Sequence, residues 1–585
     1  MKKFTIILIL IFAFLLICSC SDKSLSAYEI YCEANPSYTG TEDEWLESLK
    51  GSNGKSAYEI YCEANPDYTG TEDEWLESLK GSNGKSAYEI YCEANPDYTG
   101  TEDEWLIALS KGELECVNHT VTFDLGYGGT TFEQVVRHGE KIIRPDTPKR
   151  LGYKFVSWVY SDGINTETWS FPGYVVTENI KLTATWDFAT KELPIVNINT
   201  NGDAINSKED YTDMLFSIEN CEDELIGISG GIRLRGNSTM GYDKKPYRIK
   251  FDKKQSLFGL DKAKSWVLLA DYLDPSALHN YTAFTLGASM ESLGFTPTPN
   301  KVNVYLNNEF VGLYTLCEQV QENKGRMDIE LDEITESMVN IKDYNFFISM
   351  DESCIYDAGA TLDETYFYIE DYDKYFEIKY PEKDAFSSDE QFSSFVSQLK
   401  TYVKNIMDAF YTKDLATLQS EVNLNSLADY LIIDQIMGEH DHEKKSFNMF
   451  FTNTSDDSNE NGKLSFGPIW DYDLSLHAPW TGAPNEYYEI SDEIFYSNLF
   501  FQSMASIPEL YQLVKERYNN YAKPALEDYL EEFDTTVESM TISLQLNHLR
   551  WYNALDDKLT DKNIEFLKEF LTARKAQLDI LWSLN

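Results

Sequence analysis

The sequence predicts an α+β protein whose largest part is a two-lobed domain that follows several smaller modules. Strand-like runs such as GIRLRG, YRIKF and KVNVYLNN dominate the first part of residues 191–585, and helical patterns such as SSFVSQLKTYVKNIMDAF dominate the rest. With 585 residues, of which 42% are hydrophobic and 14% aromatic, the chain can bury several cores. A β-rich part followed by an α-rich part indicates two lobes.

Residues 1–20 have the pattern of a bacterial lipoprotein signal peptide. Two lysines precede the apolar run FTIILILIFAFLLI, and Ile17-Cys18-Ser19-Cys20 resembles a lipobox. We expect Cys20 to be the lipidated first residue of the mature protein, because small Ser19 precedes it whereas Ile17 precedes Cys18. The protein is then expected to be extracytoplasmic and anchored by lipid in the cell membrane or the outer membrane.

Charge and cysteine content exclude several classes of protein. The formal net charge is −49, which repels phosphate backbones and argues against a nucleic-acid partner. Once Cys18 is cleaved off and Cys20 is acylated, seven of the nine cysteines remain. They are scattered and odd in number, so neither a disulfide framework nor a zinc site is expected.

Residues 21–112 contain three 30-residue repeats that begin at Ser26, Ser56 and Ser86. Each unit predicts two short helices. A serine caps AYEIYCEA, and a capping box (Thr41 and Glu44 in the first copy) precedes WLESL. Trp45, Leu46 and Leu49 form an apolar stripe that stacking of neighbours would bury. The units resemble short EWL-type repeats of bacterial surface proteins, which implies a spacer or interaction stalk.

Residues 113–188 change to a β-rich composition with glycine and proline between the strand-like runs. VTFDLGYGGT, GEKIIRPDTPKRLGYKFVSWVY and VTENIKLTATW carry a resemblance to the internalin B-type (Listeria-Bacteroides) repeat. That resemblance implies a small β-grasp-like module with a surface or adhesive role. No cluster of residues in this segment suggests chemistry.

Four polar stretches stand out in the large domain: RLRGNSTMGYDKKPYRIKF, GLYTLCEQVQENKGRMDI, IMGEHDHEKKSFNMFF and FGPIWDYDLSLH. No Walker A sequence, dinucleotide-binding fingerprint or Gly-x-Ser-x-Gly elbow is present. Together and in this order, the stretches resemble the CotH kinase family over residues 191–585. The resemblance implies an atypical bilobal protein-kinase-like fold that uses ATP with Mg²⁺ or Mn²⁺ and phosphorylates secreted proteins.

On that resemblance, the acidic residues near the C-terminal motifs have expected roles. Asp441 corresponds to the catalytic-loop aspartate, and Asp471 to the aspartate that holds the metal. Asp473 is either a second ligand, a residue that orients the ligands, or a hydrogen-bond acceptor within its own turn. The asparagine that relatives place five residues after the catalytic aspartate is Ser446 here, so Asn448 becomes the candidate for a metal ligand.

The basic residues of the first motif are candidates for ATP-phosphate ligands. Lys250 is the first choice, and Arg235 resembles a phosphate-facing residue of the RGNS turn. The rivals of Lys250 are Lys244, Lys245 and Arg248, and strand alternation puts Arg248 and Lys250 on one face. Glu318 follows a strand where a nucleotide hinge would lie, and its alternative is an ordinary ion pair with Arg326.

The sequence is compatible with two functions of different classes. The first is a lipid-anchored kinase that transfers the γ-phosphate of ATP to serine or threonine of a secreted or surface protein. The second is a surface or adhesive lipoprotein whose kinase-like domain is a degenerate scaffold, which Ser446 favours. His440 and His442 around Asp441 also permit a metal-dependent hydrolase, although no further histidine-rich motif accompanies them. The sequence leaves the oligomeric state open.

Overall fold

A computed structural model describes most of the chain after the second repeat. The described residues are 39, 41, 69–71, 86–95, 98–111, 117–236, 238–327, 329, 334–355, 361–453, 462–476, 498–552 and 558–584. The chain forms two compact units, Met1–His119 and Thr120–Asn585. The predicted signal peptide, Cys20 and nearly all of the first two repeats lie outside the described residues. No helix of the described part is long and apolar enough to cross a membrane.

The third repeat has the two helices that the sequence predicts. Helix α1 spans Ala87–Ala94, and the hydroxyl of Ser86 caps it in a capping box with Glu89. Helix α2 spans Glu102–Lys111, and the backbone N–H of Thr101 donates to the Glu104 carboxylate at 2.8 Å. The expected apolar stripe is only partly buried. Trp105 is buried, whereas Leu106 and Leu109 are about half exposed.

Residues 118–188 form a five-stranded sheet in the order β2-β1-β5-β3-β4. Strands β1 and β5 are parallel neighbours, and the inner faces of the sheet bury Phe123 and Trp158. The strands are β1 (Asn118–Asp124), β2 (Thr131–Arg137), β3 (Tyr153–Ser161), β4 (Thr166–Thr168) and β5 (Ile180–Phe188). The predicted β-rich module is therefore present.

This β module packs directly on the domain that follows it. The hydroxyl of Tyr305 donates to the carbonyl of Gly152 at 2.6 Å, and the hydroxyl of Tyr153 donates to the carbonyl of Asn308 at 3.0 Å. Gly152 has φ +79°, and a Cβ there would lie 2.4 Å from the Cβ of Phe310. Only glycine fits this contact, because any larger residue would meet both the backbone strain and the Phe310 side chain.

The first lobe of the large domain is a closed barrel in the order β10-β12-β11-β6-β7-β8-β9. Alternate residues of each strand point inward, so that Phe216, Ile249 and Trp266 pack in its fully buried core. The strands are β6 (Ile195–Asn199), β7 (Thr212–Glu219), β8 (Leu225–Leu234), β9 (Tyr247–Gln255), β10 (Ala263–Leu269), β11 (Asn300–Leu306) and β12 (Glu309–Glu318).

The second lobe combines a five-stranded sheet with the order β14-β15-β13-β16-β17 and most of the helices. Its strands are β13 (Phe346–Met350), β14 (Tyr366–Ile369), β15 (Lys374–Tyr380), β16 (Phe447–Phe451) and β17 (Leu464–Phe466). Its helices are α3 (His279–Gly287), α4 (Asp389–Thr412), α5 (Leu415–Glu421), α6 (Leu424–Met437), α7 (Leu499–Ser506), α8 (Pro508–Arg517), α9 (Lys523–Glu538) and α11 (Lys558–Leu581), whereas α10 (Thr541–Trp551) packs on β12 of the barrel.

Helix α6 lies at the centre of this lobe, and nearly every one of its residues is buried. That explains why its sequence, LNSLADYLIIDQIM, is apolar on all sides rather than along one stripe. Helix α3 lies between β10 and β11 in sequence but packs on α6, and its Phe284 belongs to the core of the helical lobe. The α+β class and the two lobes that the sequence predicts are confirmed.

Candidate functional site

A cavity of about 820 Å³ lies between the barrel and the helical lobe. Five of the site residues predicted from sequence line it: Arg235, Asp441, Asn448, Asp471 and Asp473. They come from segments more than 200 residues apart in sequence, and the two lobes bring them to one place. Lys250 and Glu318, the other two candidates of this domain, are not among the lining residues.

The loop after α6 presents Asp441 to the cavity. Gly438 ends the helix with φ +61°, and the buried Glu439 carboxylate accepts the backbone N–H groups of His440 and Asp441 at 2.8 and 2.6 Å. Asp441 itself is 8% exposed. Burial, and then the neighbouring Asp471 carboxylate, raise the pKa of Asp441 to about 6. A carboxylate with this pKa can take up a proton near neutral pH.

The loop after β17 carries the other two acids on either side of a buried tyrosine. Asp471 has φ +73°, an uncommon backbone conformation for aspartate, and the hydroxyl of Ser446 donates to its carboxylate at 3.3 Å. Burial, and then the charge of Asp471, raise the pKa of Asp473 well above its usual value. Tyr472 between them is completely buried and fixes the loop. Strain of this kind is often retained at functional sites.

His442 joins the two loops. Its Nδ1 lies 3.0 Å from both carboxylate oxygens of Asp434, and its Nε2 donates to the carbonyl of Trp470 at 2.7 Å. The hydroxyl of Tyr472 donates to the same Asp434 carboxylate at 2.6 Å. Burial disfavours a charged imidazole, but Asp434 outweighs this and raises the pKa of His442 to about 10. Both ring nitrogens are engaged, so His442 cannot ligate a metal, and the hydrolase alternative loses one of its two histidines.

A second buried network of polar contacts, here called a relay like that of His442, connects the barrel to the loop that carries Asp471 and Asp473. Lys301 of β11 lies 3.0 Å from the Asp271 carboxylate, and the hydroxyl of Thr315 donates to that carboxylate at 2.6 Å. Asn280 of α3 donates to Asp271 at 2.9 Å and accepts the backbone N–H of Tyr472 at 2.9 Å. Sequence reasoning missed these residues. The usable signal was a set of polar residues within the apolar stretch SWVLLADYLDPSALHN.

The barrel wall of the cavity is basic. The Arg235 guanidinium lies 5.1 Å from the centre of the Trp470 ring, and the buried Nε of Arg248 has no hydrogen-bond partner among the described residues. The Lys244 amine donates to the carbonyl of Leu313, and burial lowers the pKa of Lys244 to about 7. These three side chains present groups that can donate hydrogen bonds to an anionic ligand.

Lys250, the first choice for the phosphate ligand, does not line the cavity. In β9, Tyr247 and Ile249 point into the barrel core, whereas Arg248 and Lys250 point outward as the alternation predicts. The two outward positions are one pleat repeat apart, roughly 7 Å, and only Arg248 reaches the cavity. Lys250 is exposed, with its amine 5.8 Å from the ring centre of Tyr211. Arg248, a rival in the sequence analysis, is the better-placed cation.

Glu318 does not line the cavity either. Its buried carboxylate accepts the backbone N–H of Thr298 at 2.8 Å and thereby holds the loop that leads into β11. Arg326 donates instead to the carbonyls of Ser265 and Gln319, at 2.7 and 3.2 Å. Glu318 thus stabilises the end of β12. The following segment, residues 319–321, does line the cavity, at the position where the sequence predicts a hinge.

The acidic wall of the cavity, formed by Asp441, Asp471 and Asp473, fits a metal ion that is bound together with a phosphate ligand. No group of three or more His, Cys, Asp or Glu side chains in the described ranges is arranged to hold a metal alone. Mg²⁺ at nucleotide sites takes one or two carboxylates and completes its shell with phosphate oxygens and water. Burial, and then repulsion by the Asp471 carboxylate, raise the pKa values of Asp441 and Asp473, and a bound cation would offset that repulsion. Arg248 opposite them offers the free donor that a phosphate needs.

Comparisons with known proteins agree with two of the resemblances seen in the sequence, those to the CotH kinase family and to the Listeria-Bacteroides repeat. The family model described as CotH kinase protein matches residues 232–578, which is more than half of the chain. The Listeria-Bacteroides repeat domain matches residues 119–185. A putative membrane protein of Evansella cellulosilytica is 36% identical over 72 residues, which are 12% of this chain and 11% of that protein. The match therefore covers only a small part of that relative.

Proposed function

This chain belongs to the CotH kinase family, and from that premise we propose that it transfers the γ-phosphate of ATP to a serine or threonine hydroxyl of a secreted or surface protein. The observation that carries the proposal is the meeting of Asp441 and Asp471 in one cavity between two lobes. One acid follows a buried helix and the other follows a strand, and a basic wall faces both. Phosphoryl transfer needs a proton acceptor, a metal-holding carboxylate and cationic groups in this arrangement.

Each wall has its own task in this proposal. Asp441 accepts the proton of the acceptor hydroxyl at its carboxylate oxygen, and its pKa of about 6 suits that role near neutral pH. Asp471 and Asp473 hold Mg²⁺ or Mn²⁺, and Arg235 and Arg248 hold phosphate oxygens. ATP supplies the transferred group when it is bound, and the metal neutralises part of its charge.

Location and substrate class rest on the sequence. The lipobox before Cys20 and the β module next to the kinase-like domain support an extracytoplasmic, lipid-anchored enzyme acting on proteins at the surface. Replacing Cys20 by alanine should move the protein from the membrane fraction to the soluble fraction. Unchanged partitioning of the Cys20→Ala protein would contradict the anchor.

Binding of ATP in the presence of Mg²⁺, measured by calorimetry, tests the proposal. We expect binding that disappears when the metal is chelated, together with transfer of radiolabelled phosphate to a protein acceptor or to the chain itself. The alternative is a non-catalytic surface lipoprotein, which Ser446 in place of the family's asparagine favours. Absence of nucleotide binding by the folded chain would support that alternative and reject the kinase.

A further inference from the structure

The floor of the cavity is formed by strand β13. Phe347, Ser349 and Asp351 follow one another at alternate positions and all line the cavity. Their sequence neighbours Phe346, Ile348 and Met350 belong instead to the core of the helical lobe. Strand alternation therefore places two polar side chains, Ser349 and Asp351, toward the cavity and away from the core.

The hydroxyl of Ser349 is buried without a hydrogen-bond partner among the described residues. Its residue is 1% exposed, and its Oγ has no hydrogen-bond partner within the part of the chain that the structure describes. A buried hydroxyl without a partner is destabilising. Natural proteins satisfy the great majority of such groups, so the hydroxyl points to a partner that binds in the cavity.

Asn448 adds a second oxygen donor beside Ser349. The two residues are direct partners in the β13–β16 ladder, and both line the cavity. The Asn448 amide nitrogen donates to the carbonyl of Pro468 at 2.8 Å. That bond assigns the amide nitrogen to Pro468 and leaves the amide oxygen as the group that can bind a ligand.

Asp351 supplies negative charge to the same floor. It is 7% exposed, and one carboxylate oxygen accepts the backbone N–H of Ser353 at 2.7 Å, whereas no described residue donates a hydrogen bond to the other oxygen. Asp351 and Asp441 lie close enough for their charges to interact across the cavity. A neutral ligand would not offset this accumulation of carboxylates, whereas a cation would.

We propose that Ser349, Asp351 and Asn448 form a divalent-cation subsite that is separate from the Asp471–Asp473 loop. All three offer oxygen donors, which are the ligands that Mg²⁺ and Mn²⁺ prefer. The subsite lies beside Asp441, on the acceptor side of the proposed reaction, so it deepens the proposed function. The metal alone can test it without any assumption about nucleotide.

The test uses Mn²⁺ binding by the full-length protein in detergent, measured by loss of the free-ion electron paramagnetic resonance signal in the absence of nucleotide. The measurement is made in an Asp471→Asn background, so that the remaining binding reports on the floor of the cavity. Adding Asp351→Asn should weaken Mn²⁺ binding at least about tenfold. Adding Glu352→Gln, a change at the next residue, which does not line the cavity, should leave the affinity within about twofold.

Ser349→Ala gives a readout that does not depend on the acid. Without metal, the alanine protein should melt at the same temperature as its parent or higher, because an unpartnered hydroxyl is removed. With Mn²⁺, it should bind several-fold more weakly and gain less thermal stability than the parent.

Equal Mn²⁺ affinities of the parent, Asp351→Asn and Ser349→Ala proteins would overturn the subsite, as would absence of Mn²⁺ binding by the parent. The proposed function is judged separately by ATP calorimetry on the unsubstituted chain. A protein that binds ATP with metal but shows no effect of Asp351→Asn keeps the kinase and loses the subsite. Mn²⁺ binding sensitive to Asp351→Asn without any ATP binding keeps the subsite and loses the kinase.

Discussion

The two walls of the interlobe cavity differ in how their functional side chains are held. On the helical-lobe wall, Asp441, Asp471 and Asp473 sit on loops that are fixed by buried ion pairs and hydrogen bonds, with His442 between them. On the barrel wall, Arg248 projects from a regular strand and its Nε has no partner among the described residues. The acidic wall is thus preorganised by the protein, whereas the basic wall is left for a ligand to complete.

On the proposed function, we expect the acidic wall to supply the proton acceptor and the metal ligands, and the basic wall to add affinity for the phosphate groups of the nucleotide. A loop held by several buried contacts loses its geometry when one contact is removed. A single cavity-facing cation on a strand contributes one charge-assisted hydrogen bond, and its loss leaves the strand intact. The following variants test this contrast, starting with the largest expected effect.

Removal of the acidic groups should have the largest effect. Asp441→Ala should leave metal-dependent ATP binding in place but lower the transfer rate by about a thousandfold, because the proton acceptor is lost. Asp471→Ala should abolish metal-dependent ATP binding as well. Calorimetry and a radiolabel transfer assay separate the two roles. Equal loss of ATP binding in both proteins would contradict this division.

The second-largest effect is expected for His442→Gln, and it should be a loss of stability. It leaves the Asp434 carboxylate buried without its cation, which costs roughly 3–5 kcal/mol of stability. The pKa of His442 is about 10 in the folded protein and about 6.5 in an unfolded chain. The stabilisation is therefore fully present below about pH 6.5 and is lost as the pH rises toward 10.

Chemical denaturation at a series of pH values should show that decline in stability for the parent and a flatter pH profile for His442→Gln, with His138→Gln of the β module as control. Parallel profiles would reject a charged His442.

The barrel wall provides a matched pair on one strand. Arg248→Ala should raise the KM for ATP by about tenfold, because its guanidinium faces the cavity. Lys250→Ala, two residues away and outside the cavity, should change KM by less than about twofold. Steady-state kinetics on both proteins shows whether Arg248 or Lys250 contributes to ATP binding. A larger effect of Lys250→Ala would restore the lysine that the sequence favoured.

Ser446→Asn should have the smallest effect of these variants, and it should increase rather than decrease the affinity for metal. Ser446 has φ +55°, a conformation that asparagine adopts more readily than most residues, so folding should be preserved. The longer side chain adds an amide oxygen near Asp471 and should increase metal affinity a few-fold. Titration with Mn²⁺ in the presence of ATP measures this gain. A loss of affinity would show that the serine hydroxyl is the better partner for Asp471.

The sequence predicted the acidic wall better than the basic one for a physical reason. Asp441 and Asp471 stand in the loops that follow a buried helix ending at Met437 and a buried strand ending at Phe466, and both loops are marked in the sequence by polar residues next to apolar runs. On β9, alternation correctly put Arg248 and Lys250 on the same face. It could not tell which of them reaches the other lobe, because that depends on the packing of the two lobes.

Polar residues within the apolar stretch SWVLLADYLDPSALHN could have marked some members of the buried relays, but the sequence could not predict their partners. Asp271, Lys301 and Asn280 come from a loop, a strand and a helix whose proximity exists only in the folded protein. The same holds for Ser349, whose isolated hydroxyl within a phenylalanine-rich strand has no distinguishing pattern. Local spacing reveals elements and the ends of elements, whereas partners across lobes depend on tertiary structure.

Closure of the barrel has a consequence for anyone who divides this protein into fragments. The family match begins at residue 232, near the end of β8, yet the barrel begins with β6 at Ile195. A fragment trimmed to the match would lack β6, β7 and most of β8, so the ladder edges of β11 and β9 would be left open. Unpaired strand edges invite association between chains. Such a fragment should aggregate, and its inactivity would then reveal nothing about catalysis.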